Sequence, residues 1–419
     1  MDVLIIGAGH VGLVTASCFA KSGNRVWIYD RMKERVKAVR AGKPPFFENG
    51  LVDLLRSGLK SGKLMPVQSL AEGVGAAELI FICVGTPPAA DGRIDLSQLN
   101  SVCDALAPLL ERADTRKIIA VRSTAVPGTT EALALRLSHS SSKKCPEDFG
   151  IVYNPEFLRE GNALDDFLHA NRVVIGTGHK ADGVQLAELY EPFGRPVTVI
   201  SLRAAEMAKY VSNSLIATEI SFINEAGLIA REYGVDIGEV AEALDLRVGM
   251  GNGRLKAGCG FGGSCLQKDL LALSDAARRK GVRPLMLEAV LQTNDRMVVR
   301  MAELLEKRLG ALEGKRVGIL GVAFKAGTSD VRNSRAVPLA GGLGKRGAHV
   351  RASDPHAVLP GMEMVKDPQE LVDWSDAVAI LADWPEFASL GYGDKIVVDG
   401  RDTVPKRKRG KNYEGICWP

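Results

Sequence analysis

Gly7-Ala-Gly9-His10-Val11-Gly12 lies between an apolar run, Asp2 to Ile6, and an apolar helical stretch, Val11 to Ser22. A second apolar run, Arg25 to Tyr29, ends on Asp30, 18 residues after Gly12. Glycines at this spacing permit a tight strand-to-helix turn and let another group come close to the backbone. The unpaired N–H groups at the helix start favour a negative charge. Alone the pattern could be a structural turn. With strand, helix and acid all in place it reads as a dinucleotide site. Gly7, Gly9, His10, Val11 and Gly12 would cradle the pyrophosphate, and Asp30 would take the ribose hydroxyls. A carboxylate there repels a 2′-phosphate, which points to NAD over NADP; Arg31 and Arg35 bring opposing charge beside it.

Such a start commits the following residues to a mostly parallel sheet covered on both faces. Leu79 to Val84, Lys117 to Val121, Ile151 to Tyr153, Arg172 to Ile175 and Val197 to Ile200 are further apolar runs of strand length. Three polar segments follow such runs: Val84-Gly-Thr86-Pro-Pro88, Arg122-Ser-Thr124-Ala-Val-Pro127 and Asn154-Pro-Glu156-Phe157-Leu158-Arg159-Glu160. They fall at the carboxyl edge of the sheet, where open α/β folds bind ligands. Gly, Pro and Thr are also ordinary turn residues. Glu156 is either a base or water-positioning group or a solvated loop acid.

From Leu202 the pattern changes to helix. Leu202 to Tyr233 has no proline and only Gly227, with apolar residues at helical spacing. Gly238 to Leu244, Leu266 to Lys280 and Leu285 to Leu309 continue in the same way. Alternation then returns with strands at Arg316 to Leu320, His349 to Ala352, Ala377 to Leu381 and Lys395 to Val398, and a helix at Ser334 to Lys345. At 419 residues the chain exceeds one ordinary core. The expected plan is α/β. Two doubly wound Rossmann-like domains, 1–200 and 313–419, are joined by an all-helical domain, 201–312, whose long helix could carry a dimer interface. Gly318-Ile-Leu-Gly321 with Asp354 looks like a nucleotide fold without its third glycine. If it keeps a nucleotide function, Lys325, Arg332 and Arg401 would face phosphates.

Two sets of polar residues stand out in the middle. Lys209 and Asn213 are i and i+4 on one helix face and could polarise a substrate hydroxyl, or be solvated. Phe261-Gly262-Gly-Ser-Cys265-Leu-Gln-Lys268-Asp269 places a cysteine behind glycines at a helix start, where a thiolate is favoured. A cysteine can equally be a small buried hydrophobe. The seven cysteines are scattered, with no CxxC pair and no Cys/His cluster for zinc or another metal. They imply free thiols in a reducing, cytoplasmic setting. No basic n-region opens the chain, and no apolar run is long enough for a bilayer. The net charge of +4 suits an anionic small molecule and gives no argument for nucleic acid. Lys406-Arg-Lys-Arg409 is expected to be a solvated tail.

Together these motifs resemble the UDP-glucose/GDP-mannose dehydrogenase family, from Gly7 to about Arg401. The match includes Asp330-Val-Arg332 and Asp399-Gly-Arg401. The resemblance implies oxidation of a sugar C6 alcohol to a carboxylate with two NAD and no metal, favouring UDP-glucose, in a homodimer. Cys265 would attack the aldehyde to give a thiohemiacetal and then a thioester. Lys209 and Asn213 would stabilise the oxyanion, Asp269 and Thr124 would hold water, and Glu156 would assist hydrolysis. Thr86, Thr124, Glu156, Lys268, Arg332 and Arg35 would serve the cofactor. Phe157 to Glu160, Lys209, Asn213, Arg247, Leu255, Gly262, Lys325 and Arg401 would serve the substrate. Between Arg247 and Cys265 the loop is about two residues longer than in many relatives and lacks the usual aromatic near Leu255, which leaves GDP-mannose and UDP-N-acetylhexosamines open. Ser264 is closer to the glucose and mannose branches. A two-electron hydroxyacid dehydrogenase of the 6-phosphogluconate type shares the Lys-x-x-x-Asn pair but has no use for Cys265. An inactive NAD-binding regulator would not need the intact lysine, cysteine and aspartate.

Overall fold

The computed structural model describes residues 1–89, 92–248 and 255–418, without the side chains of 245–248. The chain forms two compact units, Met1–Val211 and Ser212–Pro419.

The first unit alternates strand and helix. Its elements are β1 (Asp2–Ile6), α1 (His10–Lys21), β2 (Arg25–Tyr29), α2 (Lys33–Arg40), α3 (Leu51–Lys60), β3 (Leu64–Pro66), α4 (Leu70–Ala76), β4 (Leu79–Ile82) and α5 (Ser97–Glu111), followed by β5 (Lys117–Val121), α6 (Thr129–Ser141), β6 (Phe149–Tyr153), α7 (Ala163–Leu168), β7 (Val173–Thr177), α8 (Lys180–Glu188) and β8 (Val197–Ile200). The sheet runs β3-β2-β1-β4-β5-β6-β7-β8. It is parallel except where β7 turns against β6. Alternate residues of one strand serve opposite faces. Val3 and Ile5 join a core with Leu13, Phe19 and Leu55, whereas Leu4 and Ile6 join one with Leu99, Leu106 and Leu133. Burial on both faces is why these strands read as continuous apolar runs. The order reverses between β1 and β4, which opens a crevice at their carboxyl ends.

The boundary between the units falls inside α9 (Leu202–Glu232), a 31-residue helix. Its one glycine is explained by packing, since a Cβ on Gly227 would stand 2.6 Å from that of Cys417. The second unit continues with α10 (Ile237–Val248), α11 (Leu266–Arg279), α12 (Leu285–Leu309), β9 (Arg316–Leu320), α13 (Ala336–Gly344), β10 (His349–Ser353), β11 (Glu363–Met364), α14 (Pro368–Trp374), β12 (Ala377–Ile380), β13 (Ile396–Asp399) and β14 (Tyr413–Gly415). Its sheet, β11-β10-β9-β12-β13-β14, is wholly parallel and reverses at β9/β12. The two doubly wound domains and the helical middle expected from the sequence are therefore present.

The basic run is not a tail. Lys406 pairs with Asp236 at 2.9 Å, and the Arg409 guanidinium lies 4.7 Å from the Tyr413 ring. The chain then enters β14, and Ile416, Cys417 and Trp418 are buried. Lys406, Arg407 and Lys408 are exposed as expected, but the apolar segment after them anchors the run to the fold. Among the described residues no helix is long and apolar enough to cross a membrane.

Candidate active site

In the first unit the glycine turn is built by steric necessity. Gly7 has φ +108°, and its N–H donates to the Tyr29 carbonyl at 2.7 Å. A Cβ on Gly12 would overlap the Gly7 carbonyl, so α1 packs against the turn as only glycine allows. Helix α1 begins at His10 with no side-chain cap. Its first N–H groups are thus without intrahelical partners, which fits a dinucleotide pyrophosphate. Asp30 is 7% exposed. It accepts from the N–H of Ala8 and of Met32, both at 2.8 Å, and Arg35 stands 3.4 Å away. The acid therefore clamps the turn as well as ending β2. Asp354 repeats the device after β9, accepting from the N–H of Val322 and Ala323 at 2.9 and 3.0 Å.

Thr86, Thr124 and Glu156 follow β4, β5 and β6, neighbouring strands of the sheet, so their loops leave its carboxyl edge together. Ser123 Oγ donates to the Val84 carbonyl at 2.7 Å and ties two of these loops. Thr86 is buried and Thr124 half-buried. Lys209 on α9 is 3% exposed. Its ammonium donates to Glu156 Oε1 at 2.8 Å and to the Glu156 carbonyl at 2.6 Å. Burial pushes the Glu156 carboxyl up. The Lys209 charge and hydrogen bond, the Leu158 N–H and the Arg122 charge outweigh it, and the net shift is below the ordinary value. Phe157 and Leu158 are half-buried, and the Phe157 ring lies 5.6 Å from the Lys209 ammonium. Arg159 is committed to Asp166, with Nη2 to Oδ1 at 2.6 Å, while Glu160 is half-buried.

In the second unit the loop ahead of Cys265 is braced from several elements. Asn294 of α12 accepts from the Phe261 N–H at 2.7 Å and donates to its carbonyl at 3.1 Å. Asn224 of α9 accepts from the Gly258 N–H at 2.7 Å, and the Cys259 N–H donates to the Gly400 carbonyl at 2.9 Å. Gly263, at φ +85°, would place a Cβ 2.9 Å from the Phe324 ring, and a Cβ on Gly262 would stand 2.9 Å from that of Phe324. Cys265 is then the N-cap of α11, with its carbonyl accepting from the Asp269 N–H at 2.9 Å. Its thiol stands half-buried at the positive end of the helix dipole, 3.4 Å from Ser264 Oγ. Asp269, one turn on, is fully buried. Asn213 donates to its Oδ2 at 2.6 Å, and Lys268 to its Oδ1 at 2.5 Å. Burial pushes the thiols of Cys18, Cys83, Cys103 and Cys417 up to about 12, and those of Cys145 and Cys259 also upward.

Other expected substrate residues are placed differently from one another. Lys325 is half-buried beside Phe324. Arg332 is exposed and pairs with Asp330 at 2.5 Å. Arg401 spends its guanidinium on the carbonyls of Leu381 and Gly260, both at 2.9 Å, and so supports the cysteine loop. Leu255 is buried in the core with Ile223, Met301 and Leu305. Arg247 lies on α10 with its side chain outside the described residues. Asn224 and Asn294 escaped the sequence reading. Their signal was a polar residue on an otherwise apolar helical face.

Residues 1–194 match the NAD binding domain of the UDP-glucose/GDP-mannose dehydrogenase family, 203–296 its central domain and 318–406 its UDP binding domain. The chain belongs to the UDP-glucose/GDP-mannose dehydrogenase family. This member is an oxidoreductase whose glycine turn and Asp30 lie in the family's NAD binding domain. It is 35% identical to the UDP-glucose 6-dehydrogenase of Haloferax volcanii, over 99% of this chain and 100% of that one. It is 33% identical to the GDP-mannose 6-dehydrogenase of Azotobacter vinelandii, over the whole of both chains. The solved UDP-glucose dehydrogenase of Pyrobaculum islandicum superposes with a TM-score of 0.95 at 41% identity, covering 100% of this chain and 98% of that one.

Proposed function

We propose that this dehydrogenase oxidises C6 of UDP-glucose to the carboxylate in two steps, through a covalent bond to Cys265. The observation that carries the reading is the setting of that cysteine. It caps α11 one turn before a fully buried Asp269 held by Asn213 and Lys268. The Gly7–Gly12 turn, the α1 N-terminus and Asp30 suit NAD, with Arg35, Thr86, Thr124, Glu156, Lys268 and Arg332 as further contacts. NAD, when bound, accepts the hydride that carbon gives up at each oxidation, two in all.

An alcohol carbon gives up one hydride and its hydroxyl one proton, leaving an aldehyde. The aldehyde has no second hydride to lose until a nucleophile adds. The Cys265 thiolate forms the C–S bond, and the carbonyl oxygen becomes the oxyanion of a thiohemiacetal. Lys209 and Asn213 supply N–H donors to that oxygen. The second oxidation leaves a thioester. Water held by Asp269 and Thr124 adds to it with the help of Glu156, the C–S bond breaks, and the thiolate returns. Phe157, Leu158, Glu160, Arg247, Gly262 and Lys325 serve the sugar nucleotide; Leu255 from the core, Arg159 through Asp166 and Arg401 through the cysteine loop serve it by holding its loops.

The division of labour follows three segments: 1–200 for NAD, 201–312 for the thiol, and 313–419 for the nucleotide. UDP-glucose is favoured over GDP-mannose because the solved UDP-glucose dehydrogenase of Pyrobaculum islandicum is 41% identical and the solved GDP-mannose dehydrogenase 32%. The seven free cysteines suit the reducing cytoplasm. A homodimer is supported by Leu215, Phe222 and Ile229, seven residues apart on α9, which are 57%, 63% and 57% exposed.

The test is NADH formation with UDP-glucose, GDP-mannose and UDP-N-acetylmannosamine under identical conditions. UDP-glucose is expected to give the highest kcat/KM. A preference for either other sugar would overturn the substrate assignment.

A further inference from the structure

Glu48 lies outside every motif described above. It is 3% exposed, and both its oxygens are engaged. Oε1 accepts from the Ala163 N–H at 2.8 Å, and Oε2 accepts from the Gly161 N–H at 2.7 Å. Oε2 also lies 2.7 Å from Nε2 of His10. A carboxylate offers acceptors only, so Nε2 is the nitrogen that carries the proton. His10 opens α1 within the glycine turn, whereas Gly161 and Ala163 close the Glu156–Glu160 loop and start α7. The neighbours of Glu48 grip the same two places. Phe46 lies 4.9 Å from the His10 ring, and Asn49 Nδ2 donates to the Gly161 carbonyl at 3.1 Å.

A buried carboxylate is tolerated because donors saturate it, and each donor it holds depends on the others staying in place. If His10 moves, Oε2 loses a partner and its bond to Gly161 must readjust. If the loop moves, Glu48 loses the Gly161 and Ala163 donors and keeps only His10, a buried carboxylate short of partners. The turn and the loop therefore share one element, and neither can move without disturbing the donors that Glu48 holds.

We propose that Glu48 is a positioning residue that couples occupancy of the glycine turn to the conformation of the Glu156–Gly161 loop, so that dinucleotide and nucleotide sugar bind cooperatively. The proposal rests on the reading above, in which the turn takes NAD and the loop serves the sugar. Linkage makes the effect reciprocal: whatever factor the sugar adds to cofactor affinity, the cofactor adds to sugar affinity.

NADH and UDP-glucose form a pair that cannot react, so both affinities can be measured at equilibrium on the intact enzyme. The dissociation constant of NADH is followed by its fluorescence, with and without saturating UDP-glucose, for the wild type, Glu48→Gln and His10→Phe. His10→Phe keeps a ring against Phe46 and leaves Glu48 on Gly161 and Ala163, so it covers the case in which Glu48→Gln fails to fold. The wild type should bind NADH about fivefold tighter or more with the sugar present. In the variants that ratio should fall to within about twofold of one, the coupling having been lost. A wild-type ratio near one, or an unchanged ratio in His10→Phe, overturns the proposal; a merely structural Glu48 would lower thermal stability and leave the ratio intact. A wild type that binds NADH but neither UDP-glucose nor GDP-mannose rejects the substrate reading, and this proposal with it.

Discussion

Lys209 and Glu156 form a buried pair, the ammonium 2.8 Å from Oε1 and 2.6 Å from the backbone carbonyl of the same residue. The pair fixes the loop after β6 to α9 within the first unit. It also makes Glu156 a depressed carboxyl despite its burial. A depressed carboxyl stabilises the fold above its unfolded value, near about pH 4.3, and that contribution is lost as pH falls through the lowered folded value.

Lys209→Met removes the counter-charge and leaves a carboxylate buried alone. The cost is expected to be about 3–5 kcal/mol at pH 7. It should be smaller when measured at about pH 5, because burial without a counter-charge raises the carboxyl's pKa and lets it take up a proton. Urea unfolding of both proteins at the two pH values measures this. Equal costs at both would show that the pair does not set the acid dependence.

Gly12→Ala drives a Cβ into the Gly7 carbonyl. The turn can accept it only by moving α1 away, so the NAD dissociation constant should rise about tenfold or more, equivalent to about 1.4 kcal/mol. Nucleotide-sugar affinity without cofactor should fall by less, through the His10–Glu48 link alone. Equilibrium titration with each ligand separates the two, and equal losses for both would point to a general folding defect.

Asp269→Asn keeps the size of a fully buried side chain and removes its charge. Lys268 and Asn213 then both donate toward an amide that has only one acceptor oxygen. If Asp269 holds the attacking water, kcat should fall by about 10²-fold or more. A sugar adduct on Cys265 should then accumulate and be visible by intact mass. Loss of activity without adduct would place Asp269 before the thioester stage.

The residues most legible in the sequence were those whose signal is local. Arg25 to Tyr29, Lys117 to Val121, Val197 to Ile200 and Arg316 to Leu320 are strands with the bounds that their apolar runs set. The glycine turn, Lys209 and Asn213 on one helix, and Cys265 at a helix start with Asp269 one turn on are placements that short spacing also set. Illegible were the edge strands β3, β11 and β14, of two or three residues each, too short to show a period. Glu48 was invisible for another reason: its partners lie 38 and 113 residues away, and no motif joins them. Arg401 offered only its charge to the sequence reading, and its hydrogen bonds to the carbonyls of Leu381 and Gly260 come from residues 20 and 141 positions away. Sequence spacing reports chemistry on one element; it carries no record of what folding brings from elsewhere.

Phe222→Glu tests the assembly. Phe222 is 63% exposed between Leu215 and Ile229 on α9. A charge there would have to be desolvated in any apolar pairing of that face. Sedimentation at micromolar concentration should show a dimer for the wild type and a monomer for the variant, with its thermal midpoint otherwise little changed. A dimer in both would move the interface to another surface.

The role proposed for Cys265 is to turn a two-electron oxidation into a four-electron one. It is tested most directly by NADH released per sugar when UDP-glucose is limiting, beside the same count for Cys265→Ser. Two NADH per UDP-glucose are expected for the wild type, with a collapse of that yield in the variant. One NADH per sugar, unaffected by the substitution, would contradict it and leave a simple alcohol dehydrogenase.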